Sequence, residues 1–208
     1  MAGGMSMADL VADLKTSLHD SAAVFKAPAD ADFQRFLRAA LADMGTKRPV
    51  TRKASVTLEA DTARYAVPVA DFAAYKTDMW ADAARLPKPW ESAWPGPVPR
   101  VGATWDGAAW WLDFETAPTA KHLAAFGSLF QFWYFGLHVI GDNAADTTVT
   151  AADRGLLLLR AQVEAMRELS IRAATKPVQL RDGLSGVARN STPAALHEVL
   201  LRVFWETR

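Results

Sequence analysis

The hydrophobic period of the chain changes twice, and this constrains the fold more than any other feature of the sequence. Apolar residues recur at helical spacing before Pro49, alternate with polar residues over residues 54–60, and return to helical spacing after Thr150. Alternation with period 2 indicates strands, whereas spacing near 3.6 indicates helices. The sequence therefore predicts helices at both ends of the chain and a β insertion over about residues 50–142.

Two helices are predicted before the insertion. Ser6 and Asp9 have the spacing of a capping box, and apolar residues follow at helical spacing. Asp30 is a good N-cap for the second helix, because the residues after it trace one apolar face. Gly45 is expected to end that helix.

The longest helix and a terminal helix are predicted after the insertion. Thr150 begins a capping box for a helix over about residues 151–174, whose buried side is expected to include Ile171. Residues 176–191 lose periodicity and predict an extended arm. Thr192 then caps a last helix.

Strand signals are strongest in four parts of the insertion. Residues 54–60 and 64–67 are predicted to form one hairpin, and the Asp106-Gly107 pair predicts a second. Residues 130–140 are apolar on both faces, which predicts a strand sandwiched on both sides and containing His138.

Two connecting segments of the insertion have distinct signals. Residues 86–99 contain five prolines and two tryptophans, which excludes a regular helix and predicts a loop held by its aromatic side chains. Residues 120–126 are predicted to be helical after Thr119.

These elements predict an α+β fold that is mainly α. We expect a small helical bundle of two N-terminal helices and one long C-terminal helix, interrupted by a β-hairpin-rich, Trp-rich insertion. Residues 1–175 would form the main domain, and residues 176–208 an extended arm that ends in a helix.

Composition and motifs argue against catalysis. The chain has 208 residues, no cysteine, and 23 basic against 23 acidic side chains, so thiolate chemistry and a strongly cationic nucleic-acid surface are excluded. Its four histidines lack metal-ligand spacing, and the sequence has no phosphate-binding loop or nucleophile elbow. We expect no enzyme activity, no cofactor and no metal.

The tryptophans and one uncharged run leave alternatives open. Seven of the eight tryptophans fall between Trp80 and Trp133, and they either pack in a β core or subunit interface or form a platform for carbohydrate or peptide. The run from Leu123 to Gly141 has no charged residue and is long enough for a membrane span. A buried strand explains it better, because its aromatic residues lie in the middle of the run.

The C-terminal segment is the best candidate for a docking site. Its arm is mildly cationic and glycine-bearing, and its last helix has an apolar face that the arm leaves unpartnered. We expect that truncation at Lys176 leaves a folded protomer that no longer docks. The predicted polar rim and apolar anchors are Lys176, Arg181, Arg189, Leu196, Leu200, Val203, Phe204 and Trp205.

The order of these pieces resembles the head-tail adaptor (connector) proteins of tailed bacteriophages. The resemblance covers the chain from about residue 30 to its end and depends on the order of loose motifs more than on any one of them. The motifs are Phe33-Gln-Arg-Phe-Leu-Arg38, Val56-Thr-Leu58 to Tyr65-Ala-Val-Pro68, Asp71-Phe72, Phe132-Trp-Tyr-Phe135 to His138-Val-Ile140, Asp153 through Ala165-Met-Arg-Glu-Leu169, and Lys176-Pro-Val-Gln-Leu-Arg-Asp-Gly183 to Thr192-Pro193.

The resemblance implies a structural virion protein, made in the bacterial host cytoplasm and located in the neck. Such a protein forms a homo-oligomeric ring, expected to be a dodecamer, below the portal. Double-stranded DNA passes through the ring without sequence-specific binding, and a stopper or tail protein lies beneath it. The segment from about Lys176 to Arg208 would grip the portal, and the β insertion would face ring neighbours or the next neck component. The near-zero net charge suits such a channel, because a strongly cationic lining would retain phosphates.

Overall fold

The computed structural model describes residues 5–81, 87–172, 178–181 and 188–207, with Leu180 and residues 188–190 described by their backbone. The fold is α+β, as predicted. The elements in chain order are α1 (Met7–Leu18), α2 (Ala31–Lys47), β1 (Val50–Thr57), β2 (Arg64–Ala66), β3 (Phe72–Asp78), β4 (Val101–Trp105), β5 (Trp110–Phe114), α3 (Ala120–Phe126), β6 (Leu129–Gly136), α4 (Arg154–Ile171), β7 (Val178–Arg181), β8 (Ala188–Ser191) and α5 (Pro193–Glu206).

The chain divides into two compact units. The helical unit comprises Met1–Pro49 and His138–Arg208, and the β unit comprises Val50–Leu137. Both ends of the chain therefore build one unit, and the other is an insertion in sequence.

Hydrogen bonds at the ends of α1 and α2 test the predicted helix signals. The Asp9 amide donates to Ser6 Oγ and the Ser6 amide to Asp9 Oδ2, both at 3.2 Å, so the capping box is confirmed. Asp30 directly precedes α2, but its side chain makes no capping bond and instead pairs with Lys15 at 2.5 Å. The prediction that Gly45 ends α2 is wrong, because Gly45 does not adopt the positive φ of a C-cap glycine and the helix continues to Lys47.

The core of the helical unit surrounds α4. Leu156 to Leu159 are all buried, as are residues from α1, α2 and α5 that pack against them. Thr150 accepts a hydrogen bond from the Asp153 amide, as the capping signal predicts. Ile171 was predicted on the buried side but is 74% exposed, because it is the last residue of the helix and lies past the part that its neighbours cover.

Residues 178–181 and 188–191 pair as the two strands of a hairpin, where an extended arm was predicted. Strand β7 pairs antiparallel with β8, in the register Val178↔Ser191 to Arg181↔Ala188. Val178 also packs against the helical core. The missing periodicity reflects strands too short to show alternation, rather than an absence of regular structure.

The β unit contains two three-stranded antiparallel sheets. Their strand orders are β1-β6-β3 and β2-β5-β4. Residues 54–60 and 64–67 do contain strand, but the hairpin predicted between them is wrong, because β1 pairs with β6 and β2 pairs with β5. Strand propensity was visible locally, whereas the partner of each strand depends on distant residues.

The hairpin predicted at Asp106-Gly107 is confirmed. Strands β4 and β5 pair in the register Trp105↔Trp110 at the turn. Asp106 Oδ1 accepts hydrogen bonds from the amides of Ala108 and Ala109 at 2.9 and 2.8 Å, and Gly107 has a φ of 101°. Asp106 therefore stabilises the turn by accepting hydrogen bonds, and Gly107 provides its positive φ.

Strand β6 is central in its sheet, but one of its faces is open. Phe130, Phe132 and Tyr134 are buried, and the Phe130 ring lies 5.2 Å from that of Phe114 in the other sheet. The opposite face is not sandwiched, contrary to the prediction, because the β1 side chains beside it are exposed. The strand also ends at Gly136, so His138 lies in the following loop rather than in the strand.

The short helix α3 begins and ends where predicted. The Thr119 amide donates to His122 Nδ1 at 3.1 Å, so the imidazole takes the place of the carboxylate in a capping box. His122 Nε2 therefore carries the proton and donates to the Pro97 carbonyl at 3.2 Å, which attaches the proline-rich loop to α3. Trp90 does not hold that loop, because it is 78% exposed.

The uncharged run from Leu123 to Gly141 is divided between α3, β6 and the loop after it. Across the described ranges, no helix has both the length and the apolar character to cross a lipid bilayer.

Candidate interaction surfaces

Three of the predicted docking anchors lie inside the helical core. Leu196, Leu200 and Phe204 are at most 3% exposed and belong to the same cluster as the leucines of α4. Thr192 and Pro193 begin the helix as predicted, with Thr192 accepting from the Ala195 amide. The apolar face of α5 is thus covered by its own protomer and is not free to hold a partner.

Trp205 lies on the open side of α5. It is 47% exposed, its carbonyl accepts from Lys47 Nζ at 2.8 Å, and the same ammonium lies 5.9 Å from its ring centroid. Val199 is 38% exposed, and Val203 is half-buried against the core. Of the predicted anchors, Trp205 is therefore the one that α5 presents to solvent most fully.

The predicted cations of the arm are only partly described. Arg181 is exposed at the end of β7, and its carbonyl accepts from Nε2 of the fully buried Gln162 at 2.5 Å. Lys176 and the side chain of Arg189 lie outside the described residues. Gln162 was not singled out from the sequence, yet it holds the hairpin against α4.

An aromatic row with lysines over it forms the outer face of the sheet β1-β6-β3, here called the lysine face. Lys53 Nζ lies 5.4 Å from the centroid of Trp133, and Lys76 Nζ lies 5.2 Å from that of Phe135. Lys76 also donates to Thr51 Oγ1 at 3.1 Å. The register and the burial pattern place these side chains on the outer face: Thr51, Lys53, Ser55, Thr57, Ala74, Lys76, Thr77, Leu129, Gln131, Trp133 and Phe135.

The outer face of the sheet β2-β5-β4, here called the aspartate face, has the opposite character. Arg64 Nε lies 3.3 Å from Asp113 Oδ1, and its guanidinium lies 4.7 Å from the centroid of Trp111. Trp111 Nε1 donates to Asp106 Oδ2 at 2.6 Å. This face comprises Arg64, Ala66, Gly102, Thr104, Trp111 and Asp113, with Asp106 in the adjoining turn.

Hydrogen bonds and burial shift several ionisation equilibria in the β unit. Amides of Ala109 and Ala108 donate to Asp106 and lower its pKa, so the turn keeps its negative charge in mild acid. Burial raises the pKa of Tyr75, and the hydrogen bond that its hydroxyl donates to Asp78 at 2.5 Å adds to the shift. Burial likewise raises the pKa of Tyr134, which donates to Asp71.

The histidines do not form a site together. His122 caps α3, whereas His138 contacts the Arg48 carbonyl through Nε2 at 2.6 Å and Thr148 Oγ1 through Nδ1 at 3.1 Å. His138 is thus hydrogen-bonded, as predicted. In the part of the chain that the structure describes, no cluster of three or more histidine or carboxylate side chains could hold a metal ion.

The proline-rich loop of the β unit presents an exposed indole and, together with α3, lines a shallow groove. Trp90 is 78% exposed, and Lys88 Nζ lies 5.3 Å from its ring centroid. The groove has a volume of about 300 Å³. Its lining residues are Pro87, Ser92, Ala93, Lys121, Ala124 and Ala125.

Comparisons with known proteins find similarity to several solved chains, including the following two. One is described as the neck of an empty gene transfer agent (GTA) particle computed with C6 symmetry, with 16% identity and a TM-score of 0.31 over 73% of this chain and 74% of that chain. The other is described as the virion of a native GTA particle, with 17% identity and a TM-score of 0.28 over 91% of this chain and 87% of that chain. No protein-family model matches the chain, and no curated protein does. At these identities and TM-scores the similarity establishes neither a family nor a role.

Proposed function

We propose that this chain is a non-enzymatic structural protein of a tailed-phage-like particle, located in the neck. In that role it forms a homo-oligomeric ring that docks on the portal as a head-to-tail adaptor. DNA passes through the ring during packaging and ejection, and a stopper or tail protein binds on the other side.

The path of the chain between its two units is the observation that carries the proposal. Residues before Pro49 and after His138 build one helical unit, and the segment Val50–Leu137 builds a separate β unit. A helical bundle interrupted by a β insertion is the organisation that the resemblance to head-tail adaptors implies. The near-zero net charge is compatible with DNA that slides through the ring, because a strongly cationic lining would retain its phosphates.

The proposed portal-docking surface consists of the outer side of α5 and the β7–β8 hairpin that precedes α5 in the chain. Trp205 and Val199 supply apolar contact area, and an exposed tryptophan is the residue type that most often anchors an interface. Arg181 supplies a cationic rim, with Lys176 and Arg189 as further predicted members. Leu196, Leu200 and Phe204 support this surface from inside the core.

Mixing the purified chain with the portal protein of the same particle tests the proposal. Mass photometry and negative-stain imaging should show a ring of this chain on the portal. A chain that neither forms a ring nor binds the portal, at concentrations at which both proteins are folded, would refute the adaptor role.

Substitutions on α5 locate the docking surface. Trp205→Ala combined with Val199→Ser should weaken portal binding by at least about tenfold, since a central aromatic anchor contributes about 2 kcal/mol or more. Ile171→Ser is the matched control, because Ile171 is an exposed apolar residue of α4. Truncation at Lys176 is unsuitable, because it removes α5 and exposes the α4 core.

A Trp-rich carbohydrate- or peptide-binding module is the second candidate function. It is favoured by the exposed Trp90 and by the groove that the same proline-rich loop lines together with α3. Titration with glycans or proline-rich peptides should then change the tryptophan fluorescence, and Trp90→Ala should abolish the change. A signal that Trp90→Ala leaves intact would argue against this site.

A further inference from the structure

The lysine face carries more apolar area than a solvent-facing sheet surface normally does. Outward positions of an antiparallel sheet are usually polar. Here β6 places Leu129, Trp133 and Phe135 in one row, and Leu129 is 52% exposed. We propose that the lysine face binds the aspartate face of a second copy of this chain.

Charge favours that pairing. The lysine face presents Lys53 and Lys76, and its eleven outward positions include no carboxylate. On the aspartate face, Asp106 and Asp113 lie on either side of Trp111, and Arg64 is already engaged by Asp113. The two surfaces therefore have opposite net charge, and each has an indole near its centre.

The two faces lie on opposite sides of the same β unit, which decides the kind of contact. Side chains from both sheets meet between them, as in the Phe72–Trp110 pair at 5.3 Å and the Phe114–Phe130 pair at 5.2 Å. Both outer faces therefore remain accessible on each copy. A contact between unlike faces is heterologous, so every copy can bind two neighbours, and the series closes into a ring when the rotation permits.

The size of the faces predicts a weak contact between two copies. A sheet of three strands, each eight residues long, measures roughly 26 by 14 Å. The area of such a face is less than half of the roughly 800 Å² that each partner contributes to a standard interface. A single pair is thus weak, and closure of a ring would add the missing stability. The inference deepens the proposed function and rests on it only for ring closure.

Nucleic acid is a less suitable occupant of the lysine face. The ammonium groups of Lys53 and Lys76 already lie over the two rings on which bases would stack. Two cations are also few for tracking a phosphate backbone. A protein surface with carboxylates and an indole contacts the ammonium groups of Lys53 and Lys76 without displacing them from the aromatic rings.

Engineered cysteines test the contact directly, because the chain has none of its own. Ser55→Cys lies on the lysine face and Ala66→Cys on the aspartate face, and both positions are exposed. Mixing the two single variants under oxidising conditions should give disulfide-linked dimers, whereas each variant alone should give few. Carrying both substitutions in one chain should give a ladder of multimers.

The controls separate this contact from random collision and from other pairings. Ser55→Cys mixed with Ala12→Cys, an exposed position on α1, sets the background. A yield from Ser55→Cys and Ala66→Cys no higher than that background would overturn the proposal. Efficient cross-linking of Ser55→Cys with itself would also overturn it, because like faces would then be paired.

Charge reversal tests the chemistry of the contact. Lys53→Glu with Lys76→Glu should lower the cross-linking yield at least about fivefold, because unlike charges become like charges. Lys88→Glu with Lys121→Glu makes the same charge change elsewhere in the β unit and should leave the yield unchanged. Loss of binding to a short DNA duplex, with no loss of cross-linking, would assign the lysine face to nucleic acid instead.

The two proposals fail in different ways. Specific cross-linking without portal binding would refute the adaptor role and leave the contact between faces intact. Portal binding and ring formation without specific cross-linking would refute the contact and leave the adaptor role intact.

Discussion

The helical unit and the β unit bury different kinds of side chain. Among the described residues, leucine is the most frequent residue in the buried core of the helical unit, and valine, methionine, alanine and phenylalanine make up the rest. The buried core of the β unit is mostly aromatic, with Leu58 and Leu112 as its aliphatic members. The β unit also has three aromatic side chains that are only half-buried on its outer faces, Trp111, Trp133 and Phe135.

This difference shows which apolar residues stabilise the protomer by burial and which remain accessible for contacts with other chains. In the helical unit three of the five predicted anchors of α5, Leu196, Leu200 and Phe204, are buried in the core. In the β unit two thin sheets cover each other on one side only, so apolar side chains remain on both outer faces. We therefore look for contacts with other chains on the faces of the β unit and on the open side of α5.

The largest expected effect tests whether α5 belongs to the helical core. Phe204→Ala should lower the free energy of unfolding by about 3–5 kcal/mol, because a fully buried phenylalanine leaves a cavity. Trp205→Ala on the same helix should cost about 1 kcal/mol. Urea denaturation measures both, and equal costs would mean that α5 does not pack on α4 as described.

The two faces of β6 provide the corresponding test in the β unit. Phe132→Ala should lower the free energy of unfolding by about 3–5 kcal/mol, because its ring is fully buried between the sheets. Trp133→Ala should cost about 1 kcal/mol in the isolated protomer, because Lys53 is the group that lies over its ring. A large loss for Trp133→Ala would show that its face is covered within the protomer.

Alkaline pH should destabilise the β unit selectively. All three tyrosines of the chain lie in that unit, and burial raises the pKa of Tyr75 and of Tyr134 above the usual value of 10.0. A raised folded-state pKa contributes stability that is complete below the unfolded pKa and is lost as pH rises beyond it. Hydrogen exchange should therefore show the β unit opening first above about pH 10.

Tyr75→Phe is the control for the alkaline effect. It removes the ionisable hydroxyl, so the pH dependence above about 10 should become shallower. A slope that Tyr75→Phe and Tyr134→Phe together leave unchanged would contradict the explanation.

The smallest expected effect concerns backbone strain in the helical unit. Ala29 has a φ of 50° and a ψ of 33°, in the left-handed region that disfavours side chains. Ala29→Gly should raise the free energy of unfolding by about 0.5–1 kcal/mol. Ala31→Gly should lower it by a similar amount, because Ala31 has helical angles. Thermal unfolding measures both changes in stability, and a loss of stability for Ala29→Gly would contradict the interpretation that Ala29 is strained.

Sequence reasoning succeeded for most signals whose partner is a neighbour in the chain, with Asp30 and Gly45 at the ends of α2 as the exceptions. The capping groups of Ser6, Thr119, Thr150 and Thr192 and the turn at Asp106 each bond to residues within three positions. Their hydrogen bonds form whenever the local backbone does, so the pattern alone predicts them.

The same reasoning failed where the partner is distant. Residues 54–60 were assigned to a hairpin because the next strand signal is near, but β1 pairs with β6. Gln162 and Lys53 had no local signal, because their roles depend on Arg181 and on Trp133. The apolar pattern on both faces of β6 led to the wrong prediction of a sandwiched strand, because no distant segment covers its outer face among the described residues.

The sequence by itself determined the class of the fold, most helix starts, the turn at Asp106 and the position of a β segment between helical ones. Those features follow from hydrogen bonds and side-chain periods within a few residues. Only the tertiary structure decided which strands pair, that α5 lies in the core, and which apolar side chains remain outside. Those outcomes depend on which distant segment packs on each apolar face, and the hydrophobic pattern of one segment does not specify that partner.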